Sequence, residues 1–253
     1  MKKLILITTL IMICGLGLAQ QVPFRDGEKL VFNVRYGVVN AAQATVEAGS
    51  STFQGVPVWH LRINANTHRF FDSFFRIRDR VESWWRKDTL LPMKFSKNLQ
   101  EGRYRQYRIH LYNHAERTTT FQKYKFRQDR FESESMPLEA RSQDILSAFY
   151  WVRTQNLTPG RSVYVNITAD GRSVDTEVVI HRRETINTIF GRKQCLVIEP
   201  KLAGEGVFKQ SGRILIWLTD DQYKIPVKLD SAITFGSFIA TLSEARNVPL
   251  RIQ

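Results

Sequence analysis

The sequence predicts an all-β fold with one main helix: a curved antiparallel sheet that forms an open or incomplete β-barrel. Three observations predict it. Apolar residues alternate with polar ones in short runs along most of the chain, a single segment carries helical spacing, and turn-forming residues separate the runs. Roughly ten short strands with so little helix imply a sheet that curls or closes on itself.

The chain begins with a segment that reads as an export signal. Lys2 and Lys3 form a positive head, an apolar run from Leu4 to Leu18 follows, and Gly17-Leu18-Ala19 offers a small-x-small cleavage pattern before Gln20. The run is shorter than the ~20 apolar residues of a membrane span. A lipoprotein signal ending at Cys14 is the competing reading, but Ile13 stands where a small side chain is wanted. The expected organisation is a signal peptide over 1–19 and a single β-rich domain over 20–253; a split near residues 140–157 is the alternative. The expected location is the periplasm or the outer-membrane surface.

Strands are expected where Leu30, Phe32, Val34 and Tyr36 share a face, and again around Trp59, Leu61 and Ile63, then Tyr107, Ile109 and Leu111. Val163, Val165 and Ile167 lead through Asp170-Gly171 into Val174, Thr176, Val178 and Ile180. That pair suits the positive φ angles of a tight hairpin. Later strands are expected around residues 194–199, 213–218, 225–230 and 238–243. From Ser142 to Thr154, Ile145, Leu146, Phe149, Tyr150 and Val152 recur at helical spacing, with Ser142 as the N-cap and Leu157-Thr158-Pro159-Gly160 as the stop. This helix links two sets of strands and is placed to cross the open side of the sheet.

Charge and cysteines restrict the function classes. Without Lys2 and Lys3 the chain holds 35 basic and 24 acidic side chains, a net charge near +11. That balance favours acidic partners such as lipid phosphates or polysaccharide acids, or serves solubility; an exported protein has little access to nucleic acid. With Cys14 removed, Cys195 is the one remaining cysteine, which excludes an internal disulfide and a thiolate metal cage. Its apolar setting, Cys195-Leu196-Val197-Ile198, reads as a buried structural thiol.

No serine-nucleophile elbow, phosphate loop, dinucleotide fingerprint or His-Glu-x-x-His motif is present, so no catalytic residue and no cofactor is expected. His110 and His114 would lie roughly 13 Å apart on an extended strand, too far to chelate one metal without a sharp turn. Asp220-Asp221, in Thr219-Asp220-Asp221-Gln222, reads as a hairpin turn. Gly204-Glu205-Gly206 is most simply a turn or bulge.

The stretch from Thr67 to Lys87 has the most unusual composition. Phe70, Phe71, Phe74 and Phe75 precede Arg76, Arg78 and Arg80 at strand alternation, and Trp84 and Trp85 follow. The three arginines share one face, and Ile77, Asp79 and Val81 share the other. A second basic, aromatic stretch runs through Arg103, Tyr104, Arg105 and Tyr107, and then Lys123 to Arg127. Aromatics beside cations suit an amphiphile with an acidic head, or insertion at a membrane interface; they equally suit the core and solvated face of a curved sheet.

The chain resembles the bacterial family of exported proteins catalogued as domain of unknown function 3108. The resemblance rests on residues 27–37, on the Phe70 to Trp85 region, on Asp144 to Arg153, and on Ile216 to Asp221 with Ile225 to Lys228 and Phe235 to Phe238. It implies an exported protein of uncharacterised activity and carries over no catalytic residue. Trp217-Leu218-Thr219-Asp220 followed by Ile225-Pro226-Val227-Lys228 is also similar to the late strand pair of periplasmic lipoprotein carriers. That likeness implies an open half-barrel whose concave side holds acyl chains under a helical lid.

Three functional readings follow. In the first the protein is a binding module for a lipid or other amphiphilic or acidic ligand in the concavity of the sheet. Phe70, Phe71, Phe74, Phe75, Trp84 and Trp85 line or rim the cavity there, and Arg76, Arg78 and Arg80 meet the head group. In the second it is a structural or protein-interaction component of the envelope, holding a protein or polysaccharide through its surface. In the third Asp79, Glu82 or Glu205 supplies the acid and base of a hydrolase.

Overall fold

In the computed structural model, residues 22–201, 211–233 and 236–252 are described. The segment read above as an export signal, Cys14 and Glu205 lie outside them. Fourteen strands make one antiparallel sheet that does not close into a barrel. The first eight are β1 (Glu28–Tyr36), β2 (Val39–Phe53), β3 (Val56–Thr67), β4 (Arg78–Arg86), β5 (Pro92–Glu101), β6 (Tyr104–Asn113), β7 (Thr118–Lys125) and β8 (Arg130–Pro137). The remaining six are β9 (Ser162–Ala169), β10 (Arg172–Thr188), β11 (Gly191–Lys201), β12 (Ser211–Thr219), β13 (Pro226–Ile233) and β14 (Gly236–Arg246). A single helical turn, α1 (Arg69–Asp72), sits between β3 and β4, and the main helix, α2 (Ile145–Thr154), joins β8 to β9.

The spatial order is β8 to β1, then β14 back to β9, so the first and last strands pair at the centre and α2 joins the two edges. Strand direction alternates throughout. The odd-to-even connections, from β1–β2 to β13–β14, therefore share one end of the sheet, the rim, and the even-to-odd connections share the opposite end.

The sequence expectation of about ten strands falls short of fourteen, missing β2, β5, β7 and β8, and the first and last of these show why. β2 reads VNAAQATVEAGSSTF, in which the inward positions are mostly alanine, and β8 is exposed on both faces except near its end. Neither carries an alternation of large apolar residues. The β9–β10 hairpin forms as expected, with Asp170 at φ 53° and Gly171 at φ 78°. A side chain at residue 171 would also collide with the Phe121 ring, 2.9 Å from its Cβ.

α2 starts two residues later than Ser142 suggests. Asp144 is the N-cap: its Oδ1 accepts from the backbone N–H groups of Leu146 and Ser147, both at 2.8 Å, and Ser147 Oγ closes a capping box. Ser142 instead shares a hydrogen bond with Thr168 at 2.7 Å. At the other end Arg153 and Glu28 form a fully buried bidentate pair at 2.6 and 3.0 Å, and the Tyr223 carbonyl accepts a further bond from Arg153. The helix is thus fixed at both ends on the concave face.

The sheet curls until its two flanks meet through side chains. Gln143 makes a one-residue parallel bridge with Ile167 of β9. Tyr112 Oη on β6 donates to Thr168 O at 2.7 Å, Gly171 N donates to His110 Nε2 at 3.2 Å, and Asp170 receives both Lys97 and Arg108. Burial drives the His110 pKa down to about 4, because a charged ring would be desolvated there and the neutral Nε2 is what accepts the Gly171 proton.

Candidate functional site

The concave face divides beneath α2. Over β3–β6 it is filled by Leu61, Trp85, Phe95 and Tyr112, with Leu146 and Tyr150 of the helix above them. Two polar pairs sit in this half: Trp85 Nε1 donates to Gln143 Oε1 at 3.0 Å, and Ser83 Oγ donates to Asp144 Oδ2 at 2.6 Å, while the Tyr150 hydroxyl is buried with no hydrogen-bond partner among the described residues. Burial raises Asp144 to a pKa of about 6 against the opposing pull of those bonds.

Over β9–β13 the lining is branched and aliphatic: Val165, Val178, Ile198, Ile214, Ile216 and Leu229 face Ala148, Phe149 and Val152 of α2. These side chains are too short to span the gap between helix and sheet, and a cavity of about 160 Å³ remains. Thr176 is the one polar side chain in its wall. Ile145, Phe149, Ile167, Pro200 and Leu229 are half-buried, so the cavity meets solvent along their side. Cross-strand register carries this face onward: Ile214 lies opposite Ser231, Ser231 opposite Phe238, and Phe238 opposite Tyr36. The cavity wall is therefore continuous with an exposed aromatic pair at the rim, whose rings are 5.2 Å apart.

None of the nine residues singled out from the sequence lines this cavity. Trp85 is completely buried in the aromatic half. Its neighbour Trp84 points to the opposite face, where it stacks on His60 at 4.6 Å and Lys94 sits over its ring. Arg80 is on that outer face too, bonded to Glu82. Arg78 ties the β3–β4 loop together through Asp72 and the Thr67 carbonyl. Phe70, Phe71, Phe74, Phe75 and Arg76 form the loop itself, and Phe70 and Phe74 are 72% and 76% exposed. Strand alternation thus separates residues that adjacency had grouped. The cavity residues escape sequence reading because valines and isoleucines at inward positions signal core, with no polar motif to mark a void.

The acid–base candidates divide in the same way. Burial favours the neutral Glu82 carboxyl, yet hydrogen bonds from His60 and Arg80 outweigh it and hold the pKa at about 2, so Glu82 stays ionised and has no proton to donate at neutral pH. Asp79 is raised by burial and lies beside Glu101, which burial and Asp79 raise in turn. His110 and His114 do not converge: His110 Nδ1 pairs with Thr119, and His114 Nε2 with the Pro92 carbonyl. Among the described residues no three His, Cys, Asp or Glu side chains are grouped for a metal. Cys195 is buried, and burial pushes its thiol up to about 12. Asp221 caps the β12–β13 turn by accepting from the backbone N–H groups of Tyr223 and Lys224.

The chain matches the family described as "Protein of unknown function (DUF3108)" over residues 31–243 and belongs to it. No curated protein matches it. Among solved structures it is similar to a β-barrel-like protein of domain of unknown function DUF1849 from Brucella abortus. The TM-score is 0.57 at 10% identity, covering 89% of this chain and 98% of that one. It also aligns with a protein from Bacteroides fragilis described as exported, with a YmcC-like fold, at TM-score 0.34 and 9% identity, covering 90% and 99% of the two chains. The first likeness concerns the fold alone.

Proposed function

We propose that this DUF3108 protein is an exported binding module that holds the apolar part of a lipid or other amphiphile between α2 and strands β9–β13. The cavity carries the reading: about 160 Å³ walled by aliphatic side chains. Apolar cavities of ~150 Å³ stay dry and take up benzene-sized guests. This one therefore has room for such a group or the end of an alkyl chain, and the rest of the ligand extends along the Ile214–Phe238–Tyr36 row toward the rim. Arg76 and the Phe70–Phe75 loop stand at that end, where a polar head emerges.

The competing reading, an interaction protein that adds a partner strand at the sheet edge, has less support. β8 and β9 are the edges: Arg130, Glu132 and Glu134 give β8 charges that discourage strand addition, and Gln143 already bridges Ile167 on β9. The test is native mass spectrometry of the mature protein purified without detergent, followed by solvent extraction. A reproducible lipid adduct supports the reading. A clean apo mass, with no uptake of offered phospholipid or fatty acid, sinks it.

A further inference from the structure

The two ends of the sheet differ in kind. Of the thirteen large hydrophobic side chains exposed among the described residues, ten lie at the rim. They come from four neighbouring regions: Tyr36 to Val39 with Phe238, the β3–β4 loop, Tyr104 beside the β5–β6 turn, and Phe126 with Phe131 around the β7–β8 turn. Val38, at 87% exposure, and the 72% and 76% of Phe70 and Phe74 leave these side chains almost wholly in water. The opposite end is built differently, with turns such as Gln54-Gly55, Lys87-Asp88-Thr89 and Ala115-Glu116-Arg117 that carry no exposed large hydrophobic residue.

The rim also carries an excess of basic charge. Arg35, Arg69, Arg76, Arg103 and Arg127 make no ion pair among the described residues. Of the nearby acids, Asp72 pairs with Arg78 and Glu132 with Lys125 and Arg130, Asp129 keeps its charge while accepting from the Tyr124 hydroxyl, and Glu101 lies beside Asp79, where burial favours its neutral form. The loops support one another. The Phe75 ring lies against Gly102, where a Cβ would meet it at 2.8 Å, so the β3–β4 loop rests on the β5–β6 turn. Arg78 and Asp72 brace the loop from within. The phenylalanines are thus held outward by structure rather than left over from packing.

Exposed aromatics interleaved with unpaired arginines match the membrane interface. Rings partition to the headgroup–acyl boundary, and cations gain from anionic phosphates. We infer that the rim docks on a bilayer containing anionic lipids, with Phe70 and Phe74 inserted and Arg69, Arg76 and Arg103 on the phosphates. This inference does not depend on the cavity being a ligand site.

The experiment is flotation of the mature protein with vesicles of phosphatidylglycerol and phosphatidylcholine, and with vesicles of phosphatidylcholine alone. Phe70→Ser/Phe74→Ser and Arg69→Gln/Arg76→Gln are compared with wild type. Both variants change exposed loop positions, and circular dichroism checks that the sheet is intact. Wild type is expected to float with the anionic vesicles, less with neutral ones, and less again as salt rises from about 0.1 to 1 M. Each double variant should weaken anionic binding by roughly tenfold or more. Ala148→Leu, which narrows the cavity, should float like wild type, and this separates docking from ligand uptake. Wild type that ignores anionic vesicles, or a folded Phe70→Ser/Phe74→Ser variant that floats unchanged, overturns the inference. So does a rim that instead assembles a stable dimer in solution, with vesicle binding absent.

Discussion

Beneath α2, the face over β3–β6 and the face over β9–β13 solve the same packing problem with different side chains. The first uses rings and hydrogen-bonded polar groups: Trp85, Phe95, Tyr112 and Tyr150 fill the space, Gln143 accepts from Trp85, and Asp144 accepts from Ser83. The second uses valine, isoleucine and leucine, and about 160 Å³ is left open. Because that space meets solvent along one side, it leaves apolar wall in contact with water that a guest would cover. One half of the helix seat therefore supplies rigidity, and the other retains a space that a guest would stabilise by filling.

The largest effect is expected where the helix is pinned. Glu28→Gln leaves Arg153 charged and buried without its partner and should cost about 3–5 kcal/mol in urea denaturation. The double change Glu28→Gln/Arg153→Met should recover much of that loss. A single change costing under about 1 kcal/mol would mean that the pair does not hold the helix. Next, Trp85→Ala in the filled half should cost about 3–5 kcal/mol, whereas Ala148→Leu in the open half should cost less than about 1 kcal/mol or stabilise the fold. Equal losses at the two positions would erase the distinction between the halves.

The seam that brings the flanks together should be acid-sensitive. His110 takes a proton only near pH 4 in the folded protein, against an ordinary value of 6.5. The unfolded chain therefore binds that proton first, and this group withdraws stability as pH falls from about 6.5 to 4, by on the order of 3 kcal/mol. Asp144 acts in the opposite direction. Raised to about 6 from 3.8, it takes its proton first in the folded state, so its contribution grows as pH falls from about 6 to 4. His114, also lowered by burial, adds to the first slope, so His110→Gln should lose less stability than wild type between about pH 6.5 and 4, read from denaturation curves at the two pH values. The smallest effect concerns Tyr150, whose hydroxyl is buried and makes no hydrogen bond among the described residues. Tyr150→Phe should raise stability by up to about 1 kcal/mol, read from the same denaturation curves.

Much of the architecture was legible before the structure. The Asp170-Gly171 turn announces its hairpin because both residues tolerate positive φ, and the α2 register follows from Ile145, Leu146, Phe149 and Val152. The N-cap was misplaced because Ser142 and Asp144 are both capping residues, and the partners that decide between them, Thr168 and Ser83, are distant in sequence. β2 was not legible because alanines do not announce an inward face. The unusual Phe70–Trp85 composition was visible, but its division was not. α1 turns the phenylalanines out at the rim, and the pleat sends Trp84 and Trp85 to opposite faces. The cavity left no trace, because a void is a property of the distance between α2 and the sheet rather than of any residue in its wall.

The central claim, that the open half of the helix seat is a ligand site, is tested most directly by titrating a fluorescent fatty acid into wild type and Ala148→Leu. Wild type should bind it saturably, and the variant, folded and within about 1 kcal/mol of wild-type stability or better, should bind roughly tenfold more weakly or not at all. Equal binding by both proteins, or none by wild type, would contradict the claim.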